Sequence, residues 1–236
     1  MNLAKYIDHT NLVLNANESD IRLLCAEALE HNFTAVCISP LWVKLAADLL
    51  QNSDVKVCTV IGFPTGAHAP SVKLAEAELA LANGAQELDM VINIAALQED
   101  DENALQQDIE PLADAAHAKE AILKVILETA LLSDKEILKA CDLCWKFGAD
   151  FVKTSTGMLS TSLVKEGTTG ASIHAVKLMH SRRRGATPTG DPMGVKASGG
   201  IRDRATAIAM IEAGATRLGT SSGIAIIADK EGSSDY

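Results

Sequence analysis

This 236-residue chain lacks an excess of positive charge: 31 Asp and Glu face 21 Lys and Arg, for a net charge of −10 with neutral histidines. That balance repels nucleic-acid phosphates and anionic lipid headgroups, so neither nucleic acid nor membrane is expected as a partner, and any basic site must be local. No uninterrupted apolar segment is long enough to span a bilayer, and the opening Met-Asn-Leu-Ala-Lys-Tyr has no apolar signal-peptide core. A soluble, cytoplasmic protein is expected. A disulfide framework is also missing, because the five cysteines are an odd number in apolar surroundings that suit reduced, buried thiols. Cys141 and Cys144 have redox-motif spacing but lie inside a helical pattern, without the strand that leads into such a motif. The histidines do not pair with cysteines or carboxylates at metal-ligand spacing, so no metal is expected.

What is present is a 47% hydrophobic composition without a break, which suits one large domain over residues 1–236, with a flexible tail from about residue 228 to 236. Residues 6–10 read as a strand, and Asn17, Glu18 and Asp20 supply a cap and first-turn acids to a helix over 21–30. The alternation continues with strands over 34–38, 55–61, 86–92 and 121–127, followed by helices over 41–50, 71–82, about 96–118 and 133–147. After a short strand at Phe151 and Val152 come a helix over 172–180, a strand over 194–198, a helix over 203–213, a strand over 217–219 and a last helix. Eight such units predict an α/β fold, a closed (β/α)8 TIM barrel, in preference to an open doubly wound sheet. Right-handed crossovers then bring every strand C-terminus to one face.

The stretch that organises the chemistry is Gly148-Ala-Asp-Phe-Val-Lys153-Thr-Ser-Thr-Gly157, a strand that carries a lysine out at its end into a loop rich in hydrogen-bond donors. Such a lysine is an amine nucleophile with a lowered pKa, a point charge for phosphate, or a solvated surface group. In a barrel, polar residues at other strand ends converge with it: Asp8, Thr10, Cys37, Asp89, Lys124, Lys196, Ser221 and Ser222. Isolated buried charges are costly, so this set makes sense as a mutually paired, hydrated network. A second ammonium beside Lys153, such as Lys196, would disfavour its charged form and free the amine to condense with a carbonyl, while Asp89 shuttles protons. Gly157, Gly199, Gly200 and the segment from Gly219 to Gly223 follow the last three strands, where barrels of this kind hold phosphate on backbone N–H groups.

Tyr-Ile-Asp8-His-Thr10, Val-Cys37-Ile, Val-Ile-Gly-Phe-Pro-Thr-Gly, Glu-Leu-Asp89-Met-Val, Leu-Lys124-Val-Ile-Leu-Glu, Asp-Phe-Val-Lys153-Thr-Ser-Thr-Gly and Gly-Val-Lys196-Ala-Ser-Gly-Gly-Ile-Arg together resemble the deoxyribose-phosphate aldolase family. The resemblance spans nearly the whole chain. It implies a class I, Schiff-base aldolase on a (β/α)8 barrel that cleaves 2-deoxy-D-ribose 5-phosphate reversibly to D-glyceraldehyde 3-phosphate and acetaldehyde, without a cofactor. Lys153 matches the family's Schiff-base lysine, and Asp89 and Lys196 match its proton donor and acceptor pair. Asp8, Thr10, Cys37 and Lys124 fall at positions lining the cavity, and Gly157, Gly199, Gly200, Ser221 and Ser222 fall in its phosphate-binding loops. The terminal Tyr236 resembles a tail tyrosine that reaches toward the active site.

Two features depart from the family pattern. Met158 stands where some members have a lysine near the phosphate, which shifts the burden to backbone groups or another cation. The basic loop over residues 181–192 is longer than usual and belongs to the barrel's opposite end. The rival readings are another phosphate-binding barrel, such as an isomerase or a related Schiff-base aldolase acting on a different sugar phosphate, and a non-catalytic sugar-phosphate binder, which would be expected to lack Lys153, Lys196 or Asp89. The helices of a barrel offer many interfaces, so a homo-oligomer is compatible with the sequence.

Overall fold

Eight short parallel strands close into a barrel in the computed structural model, which describes residues 1–164, 169–182, 185–230 and 232. The first half runs β1 (Ile7–Asn11), α1 (Glu18–His31), β2 (Ala35–Ile38), α2 (Val43–Leu50), β3 (Lys56–Ile61), α3 (Pro70–Ala82), β4 (Glu87–Val91), α4 (Ile94–Gln98) and α5 (Glu102–His117). The second runs β5 (Ile122–Ile126), α6 (Asp134–Lys146), β6 (Phe151–Lys153), α7 (Ile173–Ser181), β7 (Gly194–Ser198), α8 (Arg204–Glu212), β8 (Arg217–Thr220) and α9 (Gly223–Ile227). The eight-unit barrel expected from the alternation is the fold observed, and the expected strand limits fall within about a residue of those seen.

Local chemistry sets the helix starts. The Asn17 side chain accepts from the N–H of Asp20, whose carboxylate in turn accepts from Asn17 N–H at 2.9 Å. Ser133 and Glu136 form the same reciprocal cap at α6. One expected helix is two. The periodicity over 96–118 runs across a break at Glu99 to Asp101, where Asp100 takes a left-handed conformation (φ 65°) and Asp101 caps α5 by accepting from Ala104 N–H at 3.0 Å. An aspartate favours an N-cap over a helix interior, so the chain restarts there instead of continuing.

The strands are buried on both faces, as parallel strands wrapped by helices must be. Their register decides what shares a level inside the barrel. Asp89 pairs with Lys124, Lys153 with Lys196, Lys196 with Arg217, and Asp8 with Gly219. Gly219 has no side chain where a Cβ would come within 3.0 Å of Lys196 Cε, so β8 leaves the space that the lysine stem fills.

The face opposite the strand C-termini is fastened by Asp150, whose carboxylate accepts from Leu123 N–H at 2.8 Å and Thr189 Oγ1 at 2.7 Å and pairs with His117 Nε2 at 2.9 Å. The loop over 181–192 docks here, away from the strand C-termini, as its position in sequence implied; Arg183 and Arg184 lie outside the described residues. Of the expected tail, residues 228–230 are still tied to α9, with Lys230 N–H donating to Ala225 O at 2.8 Å. Tyr236 lies outside the described residues. Among those described, no helix is long and apolar enough to cross a membrane.

Outside the barrel, Lys73 of α3 is buried with its ammonium 2.7 Å from Asp108 of α5 and 2.8 Å from Val91 O, and Asp108 also accepts from Asn93 N–H. Burial pushes Lys73 down and Asp108 up, each opposing the other's shift. The intact pair is therefore a weak stabiliser, yet breaking it strands a buried charge. Asp108→Ala is expected to cost about 3–5 kcal/mol in urea unfolding, and the double replacement Lys73→Met with Asp108→Leu to recover most of that loss.

Candidate active site

Five strands contribute the charges that the sequence pointed to, and they meet around Asp89. Its Oδ1 accepts from Lys124 Nζ at 2.8 Å, and its Oδ2 accepts from both Lys153 Nζ at 2.7 Å and Lys196 Nζ at 2.8 Å. Lys196 also donates to Asp8, and Lys124 lies 2.6 Å from Glu87 Oε2. Arg217 closes the base of the cluster, with Nη1 2.6 Å from Asp8 Oδ1 and 3.1 Å from Glu87 Oε2. Burial alone would push both Asp8 and Asp89 up. The Arg217, Lys196 and Lys124 charges outweigh it at Asp8, and the three lysines outweigh it at Asp89, so both carboxyls lie below the usual carboxylate range. Burial opposes the charge on Lys124 and Lys196 as well, but Asp89 holds Lys124 up and Asp8 with Asp89 holds Lys196 up.

Three features differ from the expectation. The network is closed, not hydrated: Asp8, Asp89, Lys124 and Lys196 are 0% exposed, and Lys153 is 3% exposed. Asp89 Oδ2 is shared by Lys153 and Lys196, so a carboxylate binds the two charges that the sequence alone sets side by side. Finally, Arg217 and Glu87 belong to the cluster although neither was singled out. Glu87 could have been found, since it stands two residues before Asp89 and alternate residues of a strand face the same way. Arg217, at the mouth of a strand, reads as an ordinary surface residue.

Above Lys153 opens a cavity of about 390 Å³, and the loops after β6, β7 and β8 form much of its wall. Of the residues expected in the site, Thr10, Lys153, Gly157, Gly199, Gly200 and Ser221 line it. Asp8, Asp89, Lys124 and Lys196 lie outside that lining, in the buried cluster. Cys37 packs with Leu12, Ala35, Cys58 and Val60, where Phe63 and Met158 cover it. Its thiol is hydrogen-bonded to Cys58, which lowers its pKa. Cys58, unmarked in the sequence because it reads as core, is the thiol that touches the network, 3.1 Å from Asp89 Oδ1 and 3.3 Å from Lys124 Nζ. Ser222 is turned away and its side chain meets Gly232.

Thr156, Ser198 and Arg202 also line the cavity, Arg202 following Gly199, Gly200 and Ile201 in the chain. The wall there is tight. A Cβ at Gly170 would lie 2.3 Å from Gly199 O, and Gly199 itself is left-handed (φ 86°), so the two loops touch backbone to backbone. Donor atoms of Cys37, Cys58 and Asp89 lie within 4.8 Å of one another, as do those of Asp8, Cys58 and Glu87. The carboxylates in both groups are already engaged by the ammonium and guanidinium groups of the chain itself. A primary amine facing a cavity, backed by a closed store of protons, and a polar end rich in backbone N–H groups suit covalent chemistry on a phosphorylated carbonyl compound.

Comparison with known proteins points the same way. A family model described as DeoC/LacD family aldolase matches residues 2–229. The chain is 50% identical over 237 residues to a deoxyribose-phosphate aldolase of Exiguobacterium sp., covering 100% of each chain. It is 51% identical over 229 residues to one of Thermococcus gammatolerans, covering 96% of each. Among solved structures, the tetrameric deoxyribose phosphate aldolase from Aeropyrum pernix superposes with a TM-score of 0.83 at 36% identity, over 96% of this chain and 89% of that one. An aldolase called QR15 superposes with a TM-score of 0.83 at 42% identity, over 96% and 94%.

The network makes stability sensitive to acid in a defined direction. Because the Asp8 carboxyl is depressed in the fold, its contribution is complete above the unfolded value of about 3.9 and is lost as pH falls through the folded one. Asp8→Asn is expected to lose about 3–5 kcal/mol at pH 7 in urea unfolding, and this gap should narrow steadily below about pH 4, where the unfolded wild-type chain takes up a proton at Asp8 that the folded one still refuses.

Proposed function

Since this chain belongs to the DeoC/LacD aldolase family, we propose that it is a cytoplasmic deoxyribose-phosphate aldolase, a class I lyase that cleaves 2-deoxy-D-ribose 5-phosphate reversibly to D-glyceraldehyde 3-phosphate and acetaldehyde through an imine on Lys153. The observation that carries this reading is the position of Lys153: it belongs to the Asp89 cluster, 2.7 Å from Oδ2, and it lines the cavity. Relatives at about 50% identity bear the name deoxyribose-phosphate aldolase, which favours this substrate over the isomerase and non-catalytic readings.

The charge count supports the amine's role. Lys124, Lys153, Lys196 and Arg217 are four cations against the three carboxylates of Asp8, Glu87 and Asp89. One proton can therefore leave with the cluster becoming neutral. Lys196 and Lys124 each touch more than one carboxylate, whereas Lys153 is held by Asp89 and borders the cavity. The freed amine attacks the C1 aldehyde of the open-chain sugar, and loss of water gives the protonated imine. That imine accepts the electron pair of the C2–C3 bond as the C3 hydroxyl loses its proton. D-Glyceraldehyde 3-phosphate leaves, the enamine is protonated at carbon, and water releases acetaldehyde. Asp89 and Lys196, hydrogen-bonded to each other, form the proton relay behind Lys153. The imine is the electron sink, so this chemistry uses no metal.

At the other end, the backbone of Gly157, Gly199, Gly200 and Ser221 holds the phosphate, with Arg202 as the cation that Met158 does not supply. Borohydride reduction in the presence of acetaldehyde should leave an adduct on Lys153, located by peptide mass spectrometry and abolished in Lys153→Ala; no adduct, or one spread over surface lysines, would overturn the imine mechanism. Arg202→Ala should lower kcat/KM for deoxyribose 5-phosphate by about tenfold to a hundredfold, the worth of one charged hydrogen bond, and leave unphosphorylated 2-deoxyribose nearly unaffected.

A further inference from the structure

Glu128 follows β5 in an unusual conformation. On either side of it the pairing with β6 and the residue after it continues, Leu127 N–H donating to Lys153 O and Thr129 N–H to Thr154 O, both at 2.9 Å. Glu128 is turned out of that ladder into the left-handed region, at φ 56° and ψ 59°, and is 3% exposed. Its Oε2 accepts from Thr156 Oγ1 at 2.5 Å and Thr156 N–H at 3.2 Å, while Oε1 is buried with no partner among the described residues. A left-handed residue with a side chain is strained, and a buried carboxylate with an idle oxygen is unfavourable. Glycine or asparagine would relieve the strain. Neither would place an acidic acceptor on Thr156, and costs of this kind collect where geometry matters to function.

Thr156 passes the restraint on, since its Oγ1 accepts from Met158 N–H at 3.1 Å. The other flank of the same loop is tied to β7: Thr154 Oγ1 donates to Ser198 O at 3.1 Å and Ser198 Oγ to Ser155 O at 2.6 Å. The loop thus starts at the lysine, ends at Gly157 in the polar end of the cavity, and is clamped from two sides. Accepting the imine chemistry above, we propose that Glu128 is a positioning residue. By fixing Thr156 it sets the separation between Lys153 and the Thr156–Gly157 backbone to match the distance from the C1 aldehyde to the 5-phosphate of the open-chain substrate.

The test compares substrates that use both ends of the loop with those that use one. In Glu128→Ala, kcat/KM for deoxyribose 5-phosphate should fall about a hundredfold, the usual effect of a displacement near 1 Å, while turnover of 2-deoxyribose and trapping of acetaldehyde on Lys153 change only severalfold. Glu128→Gln, whose carbonyl can still accept from Thr156, should restore most of the preference for the phosphorylated sugar. Thr156→Val, which deletes the hydroxyl contact without changing Glu128, should lose it and serves if Glu128→Ala does not fold. A residue with a purely structural role would lower both substrates together with the folded fraction, so an unchanged ratio in folded Glu128→Ala or Thr156→Val would overturn the proposal. So would a Glu128→Gln as impaired as Glu128→Ala. Failure of the imine reading itself would show separately, as absence of an acetaldehyde adduct in the wild-type protein.

Discussion

The structure depends on one carboxylate. Asp89 accepts from three ammonium groups on three other strands, and none of Asp89, Lys124 and Lys196 is exposed to water. In such surroundings a lone charge would be neutralised or expelled, so each member of the cluster is tolerable only while the others are in place. A closed barrel provides that guarantee. Its register is fixed all the way round, and with Arg217 and Glu87 at the base every lysine meets its counterion at the level the hydrogen-bonded ladders dictate.

This arrangement divides labour along the barrel axis. The closed charges occupy the interior, the amine of Lys153 stands at the boundary, and the loops beyond it hold the backbone donors. On the opposite face, Asp150, His117 and Thr189 fasten loops that never reach the cavity. Thr189, in the segment over 181–192, belongs to that remote face.

The barrel was legible because strands and helices alternate with clear turn chemistry, and Asp89, Lys124 and Lys196 were legible because charge inside an apolar strand is conspicuous. The charge argument also suggested roles, an ammonium that disfavours its neighbour's charge and a carboxylate that moves protons, and the resemblance named the reaction. The break in the helix at Asp100 was hidden because apolar periodicity runs across it, and caps compete with continuation by small margins. Arg217 and Cys58 were hidden because a cation at a strand mouth and a thiol in a core look ordinary. Whether water enters the cluster was not legible either, since a sequence shows which way a charge points but not how tightly the wall above it closes. Glu128 was passed over for a conformational reason, since its significance lies in a backbone angle that no residue type announces.

The contact between Gly170 and Gly199 carries a consequence for how this scaffold can change. Two loops that meet backbone to backbone cannot be pushed apart by a larger side chain without opening the polar end of the cavity, so that side of the pocket is frozen against diversification. The lining also includes Thr10 and Ser221, and a second hollow of about 260 Å³ shares both residues. The pocket therefore has room to widen at Thr10, where a smaller side chain would join the two spaces and leave the Gly170–Gly199 contact as it is.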